Sequence, residues 1–239
     1  MLVEMMQNGS KNMSIVLDDE MCNKFERYHE MLVSAGKVMN LTRVPDDPLE
    51  AVDRNYLDSL TPLAVPGLMQ GARTLVDVGS GAGFPGIPLA IALPQLRVTM
   101  VDALSKRVGF LQSVIDALGL LNATAVHARL EDAARMPMLR GQFDLATARA
   151  VADTAVLCEW ALPFLRVGGQ LIAYKGPAID EELPRAAQAL ATLGGEVQRV
   201  VSAPLPGRDW DHRLLIVQKI APTSKRFPRK PGEPARNPL

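Results

Sequence analysis

The sequence predicts an α/β fold: a seven-stranded, mostly parallel sheet that ends in an antiparallel hairpin, preceded by a helical cap. Three observations predict it. From residue 74 onward, short apolar runs alternate with runs of helical periodicity, the rhythm of a parallel sheet with helices on both faces. The last two apolar runs have no helical run between them, and strands that pair without a crossover are antiparallel. Between residues 18 and 63 the spacing is helical and no strand-like run occurs.

Residues 1–13 lack periodicity and are expected to form a loose leader. Over 18–38, Met21, Phe25, Tyr28 and Leu32 are spaced by four, three and four, one face of an amphipathic helix. A second helix is expected over DPLEAVDRNYLDSLTPL (47–63), with Asp47 as N-cap and Pro48 in the first helical position. Strands are expected at 74–79, 97–103, 123–129, 143–150, 170–176, 196–202 and 212–220, with helices at 84–93, 105–118, 153–166 and 179–193. The chain thus divides into leader and cap (1–66), a sheet domain (67–221) and a basic tail (222–239). The tail, PTSKRFPRKPGEPARNPL, holds prolines at 222, 228, 231, 234 and 238. Proline lacks an N–H and fixes φ, so the tail is expected to avoid helix and run extended over the surface as a semi-rigid strap. Lys225, Arg226, Arg229, Lys230 and Arg236 would be displayed along it, with Phe227 free to stack or to pin it.

At 239 residues with 48% apolar side chains, the chain is long enough for one sizeable core. The 26 basic and 26 acidic residues cancel, so bulk charge announces no nucleic-acid partner and any basic patch is local. Two cysteines, Cys22 and Cys158, make neither a disulfide framework nor a zinc site. His29, His127 and His212 show no ligand spacing, so no metal is expected. With no apolar run near 18 residues and no signal-peptide pattern, a cytoplasmic protein away from membranes is expected.

The chemistry concentrates in LVDVGSGAGFPGIPLAIALPQLRVTMVDALSKR (75–107). Gly79, Gly81 and Gly83, with Ser80 between the first two, follow a strand and precede a helix. Glycine permits positive φ and close approach of backbone to a ligand. On spacing alone the run also fits a tight turn with no ligand. It is not the G-x-G-x-x-G of a dinucleotide site, and no Gly-Lys-Ser/Thr follows to make a phosphate loop. Asp77, two residues before the first glycine, opposes a diphosphate but suits an amine or a cation. Asp102 ends the next strand, where an acid hydrogen-bonds ribose hydroxyls. A ribose without phosphate plus a positive charge describes S-adenosyl-L-methionine. In RLEDA (129–133), backbone groups of Leu130 and Glu131 fit an adenine edge; the acidic first turn of a short helix fits equally well. In TARAVAD (147–153), Arg149 lies where methyl acceptors enter such folds; an ion pair with Asp77 or Asp153 is the alternative.

Several segments together resemble one family. They are NLTRV (40–44), RNYLDSL (54–60), VDVGSGAGFPGIPLAI (76–91), DALSKRVGFL (102–111), ARAVAD (148–153), YKG (174–176) and the proline-spaced tail. The chain resembles the bacterial small-subunit ribosomal RNA methyltransferase G family, also called glucose-inhibited division protein B. The resemblance implies a class I, Rossmann-like methyltransferase that uses S-adenosyl-L-methionine to methylate N7 of a guanine in the decoding-region loop of 16S rRNA. It further implies cofactor contacts at Gly79, Phe84, Leu130, Glu131 and Arg149, with Asp102 and Lys106 lining the same pocket. Arg149 is then the candidate catalytic residue. Lys175, in YKG, and Lys225, Arg226, Arg229 and Lys230 are the candidate RNA contacts. The partner would be 16S rRNA or the small ribosomal subunit, and a monomer is expected. One position departs: similar sequences carry histidine where this chain has Asn55, which puts a titrating role there in doubt and leaves a hydrogen-bonding one.

The residues agree with that chemistry. Cys22 and Cys158 read as core, so no nucleophile for carbon methylation is evident. The Asn/Asp-Pro-Pro-Tyr/Phe loop typical of exocyclic-amine methylation is absent after the fourth strand. Guanine N7 carries a lone pair and no proton, so its methylation needs no general base. Three other readings stay open at this level: an NAD-linked oxidoreductase, a methyltransferase for another RNA guanine, and an rRNA-binding assembly factor that kept the fold without the transfer.

Overall fold

The computed structural model describes all residues except 38–40, 42–44 and 46. Most of the NLTRV segment, Arg43 and the end of the first expected helix therefore lie outside the described residues. The cap comprises α1 (Leu2–Asn12), α2 (Asp19–Gly36), α3 (Pro48–Ala51), a π-helical turn (Val52–Leu57) and α4 (Asp58–Ala64). The sheet domain runs β1 (Thr74–Val78), α5 (Gly86–Ala92), β2 (Arg97–Asp102), α6 (Ser105–Leu118), β3 (Ala123–His127), α7 (Leu130–Ala133), β4 (Phe143–Arg149) and α8 (Thr154–Ala161). A short 3₁₀ turn (Leu162–Phe164) then leads into β5 (Leu165–Lys175), α9 (Ile179–Leu193), β6 (Gly195–Ser202) and β7 (Arg213–Lys219), and α10 (Glu233–Arg236) closes the tail.

The sheet order is β3-β2-β1-β4-β5-β7-β6, with β7 antiparallel to both neighbours and every other pairing parallel. Alternation along each strand builds two cores. Leu75, Leu145, Ile172 and Ile216 face α5, α6 and the cap. Val76, Ala146, Leu171 and Val217 face α8, α9 and the tail. Strand order reverses between β1 and β4, so the carboxyl ends of those strands open the crevice where ligands bind in such sheets.

Three expectations change. Residues 1–13 are not a loose leader: Leu2 and Met6 are buried in α1, and a Cβ on Gly9 would collide with Leu57. Gly9 is what lets α1 cross the cap closely. The helix over 47–63 begins as expected, with the Asp47 carboxylate accepting from the N–H groups of Leu49 and Glu50, but it widens into the π turn midway. The tail is not a free strap. It forms a short helix with Pro234 in the first turn, where a missing N–H is tolerated, and it packs on the sheet domain with Phe227 buried. Arg140 donates to the carbonyls of Thr223, Ser224 and Phe227, and Arg135 to those of Lys225, Arg226 and Pro228. Irregular backbone leaves many carbonyls unpaired; two donor-only side chains satisfy them.

Among the described residues no helix is long and apolar enough to cross a membrane, and no cluster of His, Cys, Asp and Glu has the make-up of a metal site.

Candidate active site

The turn after β1 is pinned to β2: the N–H groups of Gly79 and Ser80 both donate to the Val101 carbonyl, at 2.9 and 3.2 Å. Gly81 has φ +58°, and its N–H donates to Oδ2 of Asp102 at 2.9 Å. The other Asp102 oxygen accepts from the Leu104 N–H at 2.9 Å. An acid at the end of β2 thus occupies the loop donor that a phosphate would need. Gly83 has φ +110°, and a Cβ there would lie 2.7 Å from Ile87 and 2.9 Å from the Tyr28 hydroxyl. A Cβ on Gly81, by contrast, would meet nothing nearer than the Gly79 carbonyl at 4.0 Å, so the backbone at Gly81 is open to a ligand. Beside Asp102, Nη1 of Arg107 stands 3.6 Å from Oδ2, and the buried Nε of Arg107 has no partner among the described residues.

The cap holds this turn from behind. The Tyr28 hydroxyl donates to the Ala82 carbonyl at 2.6 Å, and Phe25, Tyr28, Tyr56 and Phe84 form a chain of aromatic contacts. Asp77 lies fully buried beneath the turn, accepting from the Gly86 N–H at 3.2 Å and the Thr147 hydroxyl at 3.0 Å. Burial pushes its carboxyl up to about 6, against the opposing pull of those bonds and of Arg149.

Arg149 ends β4. Its guanidinium donates to the Arg54 carbonyl at 2.7 Å and to Asp58 at 3.0 Å, and it lies over the Phe84 ring, 4.9 Å from the centroid. Its ion-pair partner is therefore Asp58, not Asp77 or Asp153. Asp58 also receives Nδ1 of His212 at 2.8 Å. The next residue, Ala150, has φ +54°, a conformation that L side chains rarely adopt and that costs on the order of 1 kcal/mol. Beside these groups, at the carboxyl ends of β4 and β5, opens a cavity of about 350 Å³. Arg149, Tyr174, Lys175, Glu182 and His212 line it.

The residues expected from sequence fall in two sets. Asp77, Gly79, Ser80, Gly81, Gly83, Phe84, Asp102 and Arg149 converge on the crevice. Leu130 and Glu131 begin α7, beyond β3 on the same side of the sheet, and Lys106 stands exposed in the first turn of α6. Glu131 is buried, and its carboxylate accepts from the Gly232 N–H of the tail at 2.9 Å. Among the expected RNA contacts, Lys225, Arg226 and Lys230 are exposed. Arg229 is not: it is locked to Glu159, a carboxylate 1% exposed. Lys175 is held at 2.6 Å by Glu182, inside the cavity rather than on the surface. Asn55 is buried, and its Nδ2 has no partner among the described residues. Sequence reasoning did not single out Tyr28, Asp58, Glu182 or His212 for the site. RNYLDSL contained Asp58, Tyr28 read as a core face, and Glu182 carried no signal.

The family model described as rRNA small subunit methyltransferase G matches residues 21–209. The chain is 45% identical to a protein named ribosomal RNA small subunit methyltransferase G from Leuconostoc citreum, over all of both chains. It is 45% identical to the one from Lactobacillus johnsonii, covering 93% of each chain, and 39% identical to one from Clostridium perfringens, covering 99% of this chain and 98% of that one. Among solved structures, cofactor-bound Rv0187 from MTB superposes with a TM-score of 0.57 at 20% identity, over 83% of this chain and 91% of the other. An O-methyltransferase from Bacillus cereus in complex with SAH gives 0.57 at 19% identity, over 91% and 100%. At these identities the structural likeness speaks to the fold.

Proposed function

The chain belongs to the rRNA small subunit methyltransferase G family, and from that premise we propose that it transfers a methyl group from S-adenosyl-L-methionine to N7 of a guanine in the decoding-region loop of 16S rRNA. The observation that carries the cofactor is the bond between the Gly81 N–H and Asp102. A carboxylate on the loop donor disfavours a diphosphate and favours a nucleoside whose ribose hydroxyls can donate to the same acid. The open backbone at Gly81 and the unpartnered Nε of Arg107 leave room and a spare donor beside that acid. When bound, S-adenosylmethionine supplies an electrophilic methyl on a positively charged sulfur.

The side chains around the crevice hold and exclude rather than shuttle protons. The Tyr28 and Tyr174 hydroxyls donate to the carbonyls of Ala82 and Ser59, and burial pushes both well above their ordinary range. Cys158 is buried, its thiol pushed up to about 12, so it is no nucleophile. N7 of guanine carries a lone pair and no proton, so its methylation calls on none of these groups as a general base. Alignment in the cavity that Arg149 lines then supplies the rate, a contribution of up to roughly 7–11 kcal/mol.

The test is methyl transfer from labelled cofactor to small subunits and to naked 16S rRNA, both from cells lacking the activity, with the product nucleoside identified by mass. N7-methylguanosine at one position supports the reading. Cofactor binding without transfer to any RNA would favour an assembly factor, and label on another atom would move the site.

A further inference from the structure

One wall of the cavity takes no part in the transfer chemistry. Lys175, at the end of β5, donates from Nζ to the Ala152 carbonyl at 3.0 Å and to Oε2 of Glu182 at 2.6 Å. Glu182, in the first turn of α9, takes two more bonds on the same oxygen, from the Thr154 N–H at 3.0 Å and the Thr154 hydroxyl at 2.5 Å. The two side chains are 9% and 16% exposed. Every bond to this carboxylate among the described residues falls on Oε2, and none falls on Oε1. The ammonium, likewise, has two acceptors for three protons. Burial would raise the Glu182 carboxyl, but the bonds from Lys175 and Thr154 outweigh it and hold it below its ordinary value. An anionic acceptor and a cationic donor therefore stand side by side, fixed by the backbone, the ammonium with one N–H and the carboxylate with both lone pairs of Oε1 left for a guest.

Such a pair is costly to bury and adds little net stability over an aliphatic one. It has, however, a definite recognition sense. Guanine presents the O6 acceptor beside the N1–H and N2–H donors, and adenine presents the same edge with the roles reversed. We propose that Lys175 and Glu182 read the acceptor base, Lys175 donating to O6 and Glu182 accepting from N1–H and the 2-amino group. An adenine in the same place would set its amino group against the ammonium and its N1 lone pair against the carboxylate, leaving the remaining N–H of Lys175 and Oε1 of Glu182 unserved. This inference rests on the reading above that a guanine enters the cavity, and it adds how that base is told from adenine.

The experiment compares small subunits whose 16S rRNA carries guanosine or inosine at the target, made by ligation of a synthetic segment. Inosine keeps N7, O6 and N1–H and lacks the 2-amino group. The wild-type protein should favour guanosine by about tenfold in kcat/KM, the loss expected for one bond to a charged group. Glu182→Gln keeps the shape and most of the bonding to Thr154, and it should reduce that preference to about twofold or less while cofactor affinity stays unchanged. Lys175→Met should slow guanosine and inosine by the same factor, because both carry O6. An equal slowing of the two substrates by Glu182→Gln, or a wild-type protein indifferent to the 2-amino group, would overturn the assignment and leave the pair structural. Failure of the wild type to methylate N7 of any guanosine would be a different result, one that removes the proposed reaction itself.

Discussion

Arg229 closes a two-pronged ion pair on Glu159, with Nη2 2.6 Å from one carboxylate oxygen and Nε 3.0 Å from the other, and its own backbone N–H adds a third bond at 2.7 Å. Glu159 lies inside α8 with 1% exposure, so the tail supplies the counter-charge for an acid the core cannot otherwise hold. Arg229→Ala should therefore cost about 3–5 kcal/mol, the usual penalty for leaving a buried charge alone. Cutting the chain after Pro222 should destabilise at least as much, because Phe227 then leaves the apolar cluster beneath it. Thermal melts of both variants against the full chain check this; melts that coincide would mean the tail is loosely held.

Asp77 makes stability depend on pH. Its folded carboxyl is raised to about 6, against an ordinary value of 3.8, chiefly by burial. A raised acid binds its proton more tightly when folded, so its contribution is fully present below about pH 3.8 and is lost as pH rises through about 6. The loss is on the order of 3 kcal/mol, from about two pKa units. Asp77→Asn removes the titration. The melting temperature of the variant relative to wild type should rise between pH 4 and pH 7 and stay level above that, as scanning fluorimetry across buffers would record.

Asp102 has one lone pair left on each oxygen after the Gly81 and Leu104 N–H groups are served. If these accept from the two ribose hydroxyls, Asp102→Ala should weaken binding of S-adenosylhomocysteine by about 1.5–3 kcal/mol. Calorimetry on the folded variant measures it directly, and an unchanged affinity would remove the acid from the cofactor site.

Arg149 is tied to Asp58 and to the Arg54 carbonyl, so its role joins cap to sheet at the mouth of the cavity. Arg149→Lys keeps a charge but cannot make the two bonds while lying flat on Phe84. It should lower the single-turnover rate at least tenfold with a smaller change in cofactor affinity. A wild-type rate would reduce the residue to a structural tie.

What is legible in the sequence is what neighbours along the chain decide. The helices over 105–118 and 179–193 end where the spacing predicts because Gly119 and Gly194 take left-handed caps just beyond them. The glycine turn and Asp102 are legible because a strand, a turn and a following strand lie within one short segment. Arg149 can be placed, but its partner cannot: Asp58 is 91 residues away in sequence, and His212 reaches the same carboxylate from 154 away. The tail misleads for a related reason. Five prolines argue for an extended strap, yet Arg135 and Arg140, some 83 to 93 residues upstream, supply the donors that hold it down. The first helix is missed because residues 1–13 show no clear periodicity, and the role of Gly9 is visible only once Leu57 lies across it.

The docked tail still leaves Lys225, Arg226, Lys230 and Arg236 outward. Arg226 stacks on the Phe227 ring at 4.8 Å, which fixes the segment that presents the first three. None holds a carboxylate among the described residues. A rigid, proline-spaced display of charge follows a phosphate backbone without reading its sequence. Replacing Lys225, Arg226 and Lys230 by alanine should cost folding no more than about 1 kcal/mol, since the two exposed lysines contribute little and an exposed stack such as Arg226 on Phe227 is worth about 0.5–1 kcal/mol. It should also leave cofactor affinity unchanged. Binding to the small subunit should weaken, and the slope of log affinity against log salt should flatten by about 0.7–0.9 for each phosphate no longer neutralised. Filter binding across a salt series gives that slope for the wild type and the triple variant. Parallel slopes would mean that the RNA approaches from the cavity side alone and that the exposed face of the tail stays in solvent.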